Sequence, residues 1–188
     1  LRSFFGICQM NLKNVLLFII FLIPLFSEAS EYVLEKNYKL QWNNDNGTIN
    51  NINIAIDGNK INANAVNVSS GKEQWSLKDY VSQCELDLAL DIIPESFEVV
   101  DLFNDGNKVA LFAYNIGCVG GVDPVSVKYF AFHNGVKYAL RGHEMFITDK
   151  GVDEDYISPK PDDNLKKNVK LFNYMKRKWA SIATRIMF

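Results

Sequence analysis

Histidine and cysteine are scarce in this chain. Its 188 residues include two histidines, His133 and His143, and three cysteines. The chain therefore has few histidines from which a multi-histidine metal site or a Ser-His-Asp triad could be built. The G-x-S-x-G, H-E-x-x-H and C-x-x-C motifs are missing, as is a glycine-rich phosphate loop. These absences exclude the common hydrolase, metalloprotease, redox and nucleotide-binding signatures, and we predict no catalytic residue, metal ion or cofactor.

An apolar run long enough to span a membrane is also lacking near the N-terminus. The run at residues 15–26 has about twelve residues, against the roughly 20 that a bilayer requires. It follows Met10 and Lys13 and precedes Ser27-Glu28-Ala29. A basic start, a short apolar segment and small residues at positions −3 and −1 are typical of a secretory signal peptide.

We therefore predict upstream translation in residues 1–9, a signal peptide in 10–29 and a single exported domain in 30–188. The expected location is the periplasm or the exterior, with no stable membrane span after signal cleavage. A membrane anchor is the alternative interpretation of the apolar run.

Cleavage would remove Cys8 and leave Cys84 and Cys118 in an oxidising compartment. Two cysteines there most simply form one disulfide. The closed loop of about 34 residues would stabilise the fold by roughly 3 to 4 kcal/mol on the chain-entropy model. A Cys-His nucleophile is the functional alternative, although a lone thiol would be oxidised in such a compartment.

The net charge of −2 conceals an asymmetry along the chain. Residues 164–188 hold seven basic and no acidic side chains, whereas residues 30–163 hold 11 basic and 21 acidic ones. Body and tail should attract each other, and the acidic body argues against nucleic acid as a partner.

Most of residues 38–148 alternates apolar and polar side chains between Asn-, Asp- and Gly-rich turns, which predicts successive β-hairpins. Residues 76–79, Ser-Leu-Lys-Asp, resemble a capping box and predict a short helix that ends near Cys84. Pro94 is expected to end the strand before it. Residues 101–109 resemble a calcium loop, but Phe103 and Val109 replace two ligands and favour a simple turn.

The C-terminal segment predicts one amphipathic helix. Apolar residues recur from Leu165 to Ile186 at spacings of three and four, after Asp162 and Asp163. We expect this stripe to pack on the sheet; a cationic helix that binds a membrane is the alternative. The predicted architecture is an α+β fold: an antiparallel sheet of hairpins, one short helix, and a long C-terminal helix on one face.

The clearest local signal is Asn134-Gly135 between two alternating runs, which predicts a type I′ hairpin. The register that follows places Lys128 opposite Arg141, with Lys137 on the same side. Like charges directly opposite destabilise a strand pair, so an anionic group should lie close to them.

Two sources of that anionic group are open. Asp123 and Glu144, at the ends of the hairpin, are the internal candidates. Alternatively, the basic residues and neighbouring aromatic rings form a patch that accepts an anionic ligand such as an acidic sugar.

Three motifs occur in order along residues 101–142: D-L-F-N-D-G, Y-N-I-G-C-V-G-G-V-D-P and K-Y-A-L-R-G. With the apolar C-terminal helix, they resemble small exported bacterial proteins that are loosely labelled surface polysaccharide biosynthesis proteins. Their pattern is a D-x-x-x-D-G turn, a C-x-(G/D)-x-x-x-P loop and a K-Y-A-x-R-G strand. The match covers about 40 residues and does not extend to residues 30–91.

The resemblance implies a function and a set of site residues. The expected function is a non-catalytic periplasmic or cell-surface protein that binds or helps handle surface polysaccharide. The alternatives are an exported inhibitor or immunity protein that binds a basic secreted enzyme, and an enzyme of unknown class. Positions that match the family pattern are Cys118, Asp123, Pro124, Lys128, Tyr138, Arg141 and Gly142. Together with the hairpin charges, they give the predicted ligand-binding set Asp123, Lys128, Lys137, Tyr138 and Arg141.

Overall fold

The computed structural model describes residues 36–153 and 155–187. The predictions for residues 1–9 and 10–29 lie outside this part of the chain. The described residues form a mostly antiparallel, β-rich fold with two helices near the C-terminus. The strands are β1 (Lys36–Asn43), β2 (Ile49–Asp57), β3 (Lys60–Asn67), β4 (Glu73–Tyr80), β5 (Asp87–Val100), β6 (Val109–Val119), β7 (Ser126–His133), β8 (Val136–His143), β9 (Met145–Thr148), β10 (Gly151–Val152), β11 (Lys160–Pro161) and β12 (Thr184–Ile186), and the helices are α1 (Asp163–Lys167) and α2 (Val169–Ala183).

A central five-stranded sheet, in the order β11-β8-β7-β6-β5, separates two layers. One face packs on the four-stranded sheet β1-β2-β3-β4 through an aromatic core that includes Phe112 and Phe132. The other face packs on α2 through a core that includes Leu111 and Trp179. Because both faces of the sheet are covered, residues 109–114 of β6 are all buried instead of alternating.

The predicted helix at residues 76–84 is wrong, because this segment lies in and just after strand β4. Trp75 and Leu77 are buried, while Ser76 and Lys78, which alternate with them, are exposed. This period of two matches a strand with one face in a core, and pairing with β3 satisfies its backbone. Burial of the alternating apolar side chains therefore outweighs the local capping signal.

Pro94 does not end its strand. Strand β5 continues to Val100 through an irregularity between Ile93 and Glu98, where the pairing with β6 is interrupted. Buried Ser96 replaces the missing ladder bonds: its Oγ donates to the Ile93 carbonyl at 2.6 Å and accepts from the Ala113 N–H at 2.6 Å. A bulge is a position at which a sheet tolerates proline.

The single long C-terminal helix is also only partly present, because it breaks at Asn168. The Asn168 side chain accepts a hydrogen bond from the Leu171 N–H at 3.1 Å and so caps α2. At the other end, residues after Ala183 leave the helix and form β12, which pairs in parallel with β9. Neither helix in the described part of the chain has the length and hydropathy of a membrane span.

The predicted disulfide is confirmed. Cys84 and Cys118 are bonded, with their Cα atoms 5.4 Å apart. The bond links the segment after β4 to strand β6, and therefore joins the four-stranded sheet to the five-stranded sheet.

Candidate functional site: a cationic cleft

The β7–β8 hairpin forms with the predicted register. Asn134 and Gly135 have φ values of 50° and 75°, as a type I′ turn requires. Lys128 lies opposite Arg141, and strand β11 then places Lys160 opposite Arg141 on its other side. Directly opposed residues share a face of the sheet, so three basic residues occupy neighbouring positions across three strands.

Lys128 is neutralised by Asp79, which lies on β4 in the other sheet. The Lys128 Nζ and Asp79 Oδ2 atoms are 2.5 Å apart, and the Tyr114 hydroxyl donates to the same oxygen at 2.8 Å. Burial by itself would raise the pKa of Asp79, but hydrogen bonds from Lys128 and Tyr114 lower this pKa below its usual value. Burial, together with the bond to Asp79, raises the pKa of Tyr114, so Tyr114 acts as a hydrogen-bond donor.

Asp123 and Glu144, the internal candidates from the sequence, instead bind Arg185 of the C-terminal segment. The Arg185 Nη2 atom lies 3.2 Å from a Glu144 carboxylate oxygen and donates to the Asp123 main-chain carbonyl at 3.0 Å. With the ion pair between Lys178 and Glu98 at 3.2 Å, these contacts connect the basic tail to the acidic body. They leave Arg141 without either expected partner.

Arg141 is stabilised by an aromatic ring. Its guanidinium carbon lies 5.4 Å from the centroid of Phe130, and the Lys137 Nζ lies 5.8 Å from the same ring. A cation over an aromatic face is attracted by the ring quadrupole, without losing its charge. Within the part of the chain that the structure describes, neither Arg141 nor Lys160 forms a salt bridge.

Both cations face one cleft of about 490 Å³ between the hairpin and the segment before α1. This volume lies in the usual range for small-molecule sites. Its lining contains no carboxylate; it consists of Ser126, Val127, Lys128, Arg141, Gly142, His143, Ile157, Ser158, Lys160 and Pro161. We refer to it as the Arg141 cleft.

The neutral polar groups of the Arg141 cleft complement its charge. The Ser126 Oγ and His143 Nδ1 atoms are 3.3 Å apart, and Ile157 is 67% exposed beside them. The cleft can therefore bind an anionic group through Arg141 and Lys160, and hydroxyl or apolar groups through its other walls. Among the described residues, no three His, Cys, Asp or Glu side chains group as a metal site would require.

The structure brings together only some of the predicted site residues. Lys128 and Arg141 line the cleft, whereas Lys137 lies further along the same face and is not part of the lining. Tyr138 lies on the opposite face and packs against the core under α2. Asp123 is exposed in the β6–β7 loop, where its carbonyl contacts Arg185.

Sequence reasoning missed Lys160, Asp79, Ser126 and His143. Lys160 lies between the predicted hairpins and the predicted C-terminal helix, and only its pairing with β8 brings it beside Arg141. Asp79 was assigned to a helix that does not form. Ser126 and His143 could have been found by extending the hairpin register two positions beyond Lys128 and Arg141.

The comparisons with known proteins do not assign this site. No protein-family model, no curated protein and no solved structure matches the chain.

Proposed function

We propose that this protein binds an anionic polysaccharide outside the cytoplasm, without catalysis, and that an acidic sugar residue binds in the Arg141 cleft. The observation that carries the proposal is the pairing of Arg141 with Lys160 across two strands, in a cleft whose lining contains no carboxylate. The disulfide supports an oxidising location.

Electrostatics supports an anionic ligand. Arg141 and Lys160 lie directly opposite each other on neighbouring strands about 5 Å apart, and like charges at such positions destabilise a strand pair by repulsion. Asp79 offsets this repulsion for Lys128, but no carboxylate does so for Arg141 and Lys160 in the described chain. A bound carboxylate would remove the repulsion and accept charge-assisted hydrogen bonds from both side chains.

The mixed lining favours an acidic sugar over a simple ion. A uronic acid carries a carboxylate, several hydroxyl groups and apolar ring carbons, and the cleft offers partners for each. Arg141 can form two parallel bonds with the carboxylate, Ser126 and His143 can bond hydroxyl groups, and Ile157 provides apolar contact. The resemblance to surface polysaccharide proteins includes Lys128 and Arg141, which agrees with this use of the cleft.

The test is titration calorimetry with an oligogalacturonate and with neutral maltohexaose. We expect the wild type to bind the acidic oligosaccharide, and Arg141→Ala or Lys160→Ala to weaken binding at least about tenfold, since a hydrogen bond to a charged group contributes about 1.5 to 3 kcal/mol. Affinity should fall as salt is raised.

Lys39→Ala is the matched control, because Lys39 is an exposed lysine on β1 and its loss changes the net charge equally. It should leave the affinity unchanged. Equal binding by wild type and Arg141→Ala would overturn the proposed site. Equal weakening by Lys39→Ala would show that only net charge matters, and a preference for maltohexaose would contradict an anionic ligand.

A further inference from the structure

A second pocket lies at the opposite end of the β7–β8 hairpin, between its turn and the four-stranded sheet. Its volume is about 280 Å³, near the lower limit for small-molecule sites. Phe132 lines this pocket, and Lys128 of the Arg141 cleft precedes it by four positions on β7, about 13 Å at the usual strand rise. The two pockets are therefore separate.

Aromatic rings and side-chain amides provide most of the walls of this pocket. The residues with these groups are Trp42, Trp75, Phe132, His133, Asn44, Asn50, Asn67, Gln74 and Asn134. We refer to this pocket as the indole-amide pocket.

The walls of the indole-amide pocket are held in place by contacts within the protein. The rings of Trp75 and Phe132 are nearly parallel, with centroids 3.6 Å apart and planes at 12°. Gln74 Nε2 donates to Asn50 Oδ1 at 2.8 Å, and Asn50 is only 1% exposed. Each of these amides can form further hydrogen bonds as donor and acceptor. The pocket therefore has a rigid aromatic part and an oriented polar part before any ligand binds.

Two lining side chains have unused hydrogen-bonding capacity. Trp42 is 9% exposed, and its Nε1–H has no acceptor among the described residues. His133 Nε2 is also buried and has no hydrogen bond within this part of the chain, although the Asp105 Oδ2 atom lies 3.5 Å from it. Buried polar atoms rarely lack a partner, so we expect the Trp42 N–H to find an acceptor outside the described residues, such as a water molecule or a ligand oxygen.

The charges around the indole-amide pocket differ from those of the Arg141 cleft. Lys72 and Lys108 line it together with the carboxylate of Glu73, so it does not select strongly for anions. Aromatic rings pack against the apolar C–H face of a sugar ring, and amides bind its hydroxyl groups in either hydrogen-bonding direction. The small volume limits the ligand to about one ring.

We propose that the indole-amide pocket binds one uncharged pyranose ring, as a free sugar or as a residue of an oligosaccharide. The ring packs against Trp42 or Trp75, and its hydroxyl groups bond Asn50, Asn67 and Gln74. This site does not depend on the Arg141 cleft, because the two share no lining residue.

The test is protein-observed NMR with neutral methyl pyranosides of glucose, galactose, mannose and N-acetylglucosamine. The wild type should show shifts in the indole N–H signals of Trp42 and Trp75 with at least one of them. The signal of Trp179 should not move, because Trp179 is buried on the other side of the central sheet. This comparison within one protein does not depend on the folding of a variant.

Gln74→Leu should weaken that binding at least fivefold, because it keeps the side-chain size and removes the amide. The control is Asn62→Ala, which removes an exposed amide from β3 and should change the affinity less than twofold. Arg141→Ala should have no effect, which separates this site from the proposed polysaccharide cleft.

Three outcomes would overturn the proposal. They are no indole shift with any of the four pyranosides, equal affinity of wild type and Gln74→Leu, and binding of glucuronate in preference to its neutral counterpart.

Discussion

The two faces of the central sheet differ in the balance of apolar packing and ion pairs. On the face under α2, apolar residues such as Leu111, Leu140 and Trp179 form a continuous core, with one ion pair, Lys178 with Glu98, at 3.2 Å on the same face. On the face toward the four-stranded sheet, the aromatic core ends in ion pairs: Asp79 with Lys128, and Asp91 with Lys36. The difference that matters for the site is that the ion pair of Asp79 with Lys128 lies directly beside the Arg141 cleft.

The two ion pairs have the same composition. Asp91 pairs with Lys36 and accepts a hydrogen bond from the Tyr38 hydroxyl at 3.0 Å. In the same way, Asp79 pairs with Lys128 and accepts a hydrogen bond from the Tyr114 hydroxyl. Each group joins a strand of one sheet to a strand of the other. Beyond the Asp79 group, the cleft opens beside Arg141 and Lys160, and its lining includes no residue of the four-stranded sheet in the described part of the chain.

The largest expected effect concerns the covalent link on the face toward the four-stranded sheet. Replacing Cys84 and Cys118 by alanine should lower the free energy of unfolding by about 3 to 4 kcal/mol, because the unfolded chain regains the entropy of a 34-residue loop. Urea unfolding measures this change. A double variant that loses less than about 1 kcal/mol would show that noncovalent contacts alone hold the two sheets together.

An intermediate effect is expected on the helix face, at Gly142. A Cβ atom there would lie 2.9 Å from Trp179 Cζ2 and 3.2 Å from Pro159, so Gly142→Ala should destabilise the protein by about 1 to 3 kcal/mol. Gly117→Ala on β6 is the control, since its Cβ would have ordinary contacts of 3.5 Å or more. Equal thermal stability of the two variants would contradict close packing at this face.

The smallest expected effect concerns Asp79, and it depends on pH. A lowered pKa means that Asp79 stabilises the fold above the ordinary carboxyl pKa and that this contribution is lost as pH falls through the folded-state value. Asp79→Asn should therefore cost up to about 1 kcal/mol at pH 7. The difference from wild type should vanish near pH 2, as measured by urea unfolding at both pH values.

Asp57→Asn is the control for this variant, because Asp57 is exposed and forms no salt bridge among the described residues. Asp79→Asn also frees Lys128 in the cleft and should raise the affinity for an anionic oligosaccharide severalfold. A cost that stays the same at pH 2 would contradict the ionic role, and unchanged affinity would contradict the contribution of Lys128 to the cleft.

Features encoded by neighbouring residues could be predicted from the sequence. Asn134-Gly135 forms the expected turn because its backbone requires positive φ, and the alternation on both sides then determines the strand register. Residues 76–79 were misassigned because a capping pattern of four residues is weak compared with burial of Trp75 and Leu77. The helix break at Asn168 depends on one side chain that caps α2, within an apolar stripe that continues unbroken.

The sequence by itself determined that Lys128 and Arg141 oppose each other, because a two-residue turn leaves their pairing no freedom. Tertiary structure decided which of the two cations is neutralised. Asp79 reaches Lys128 from 49 positions away in another sheet, and Lys160 reaches Arg141 through a two-residue strand. Such contacts depend on how separate elements pack, and local alternation carries no information about that packing.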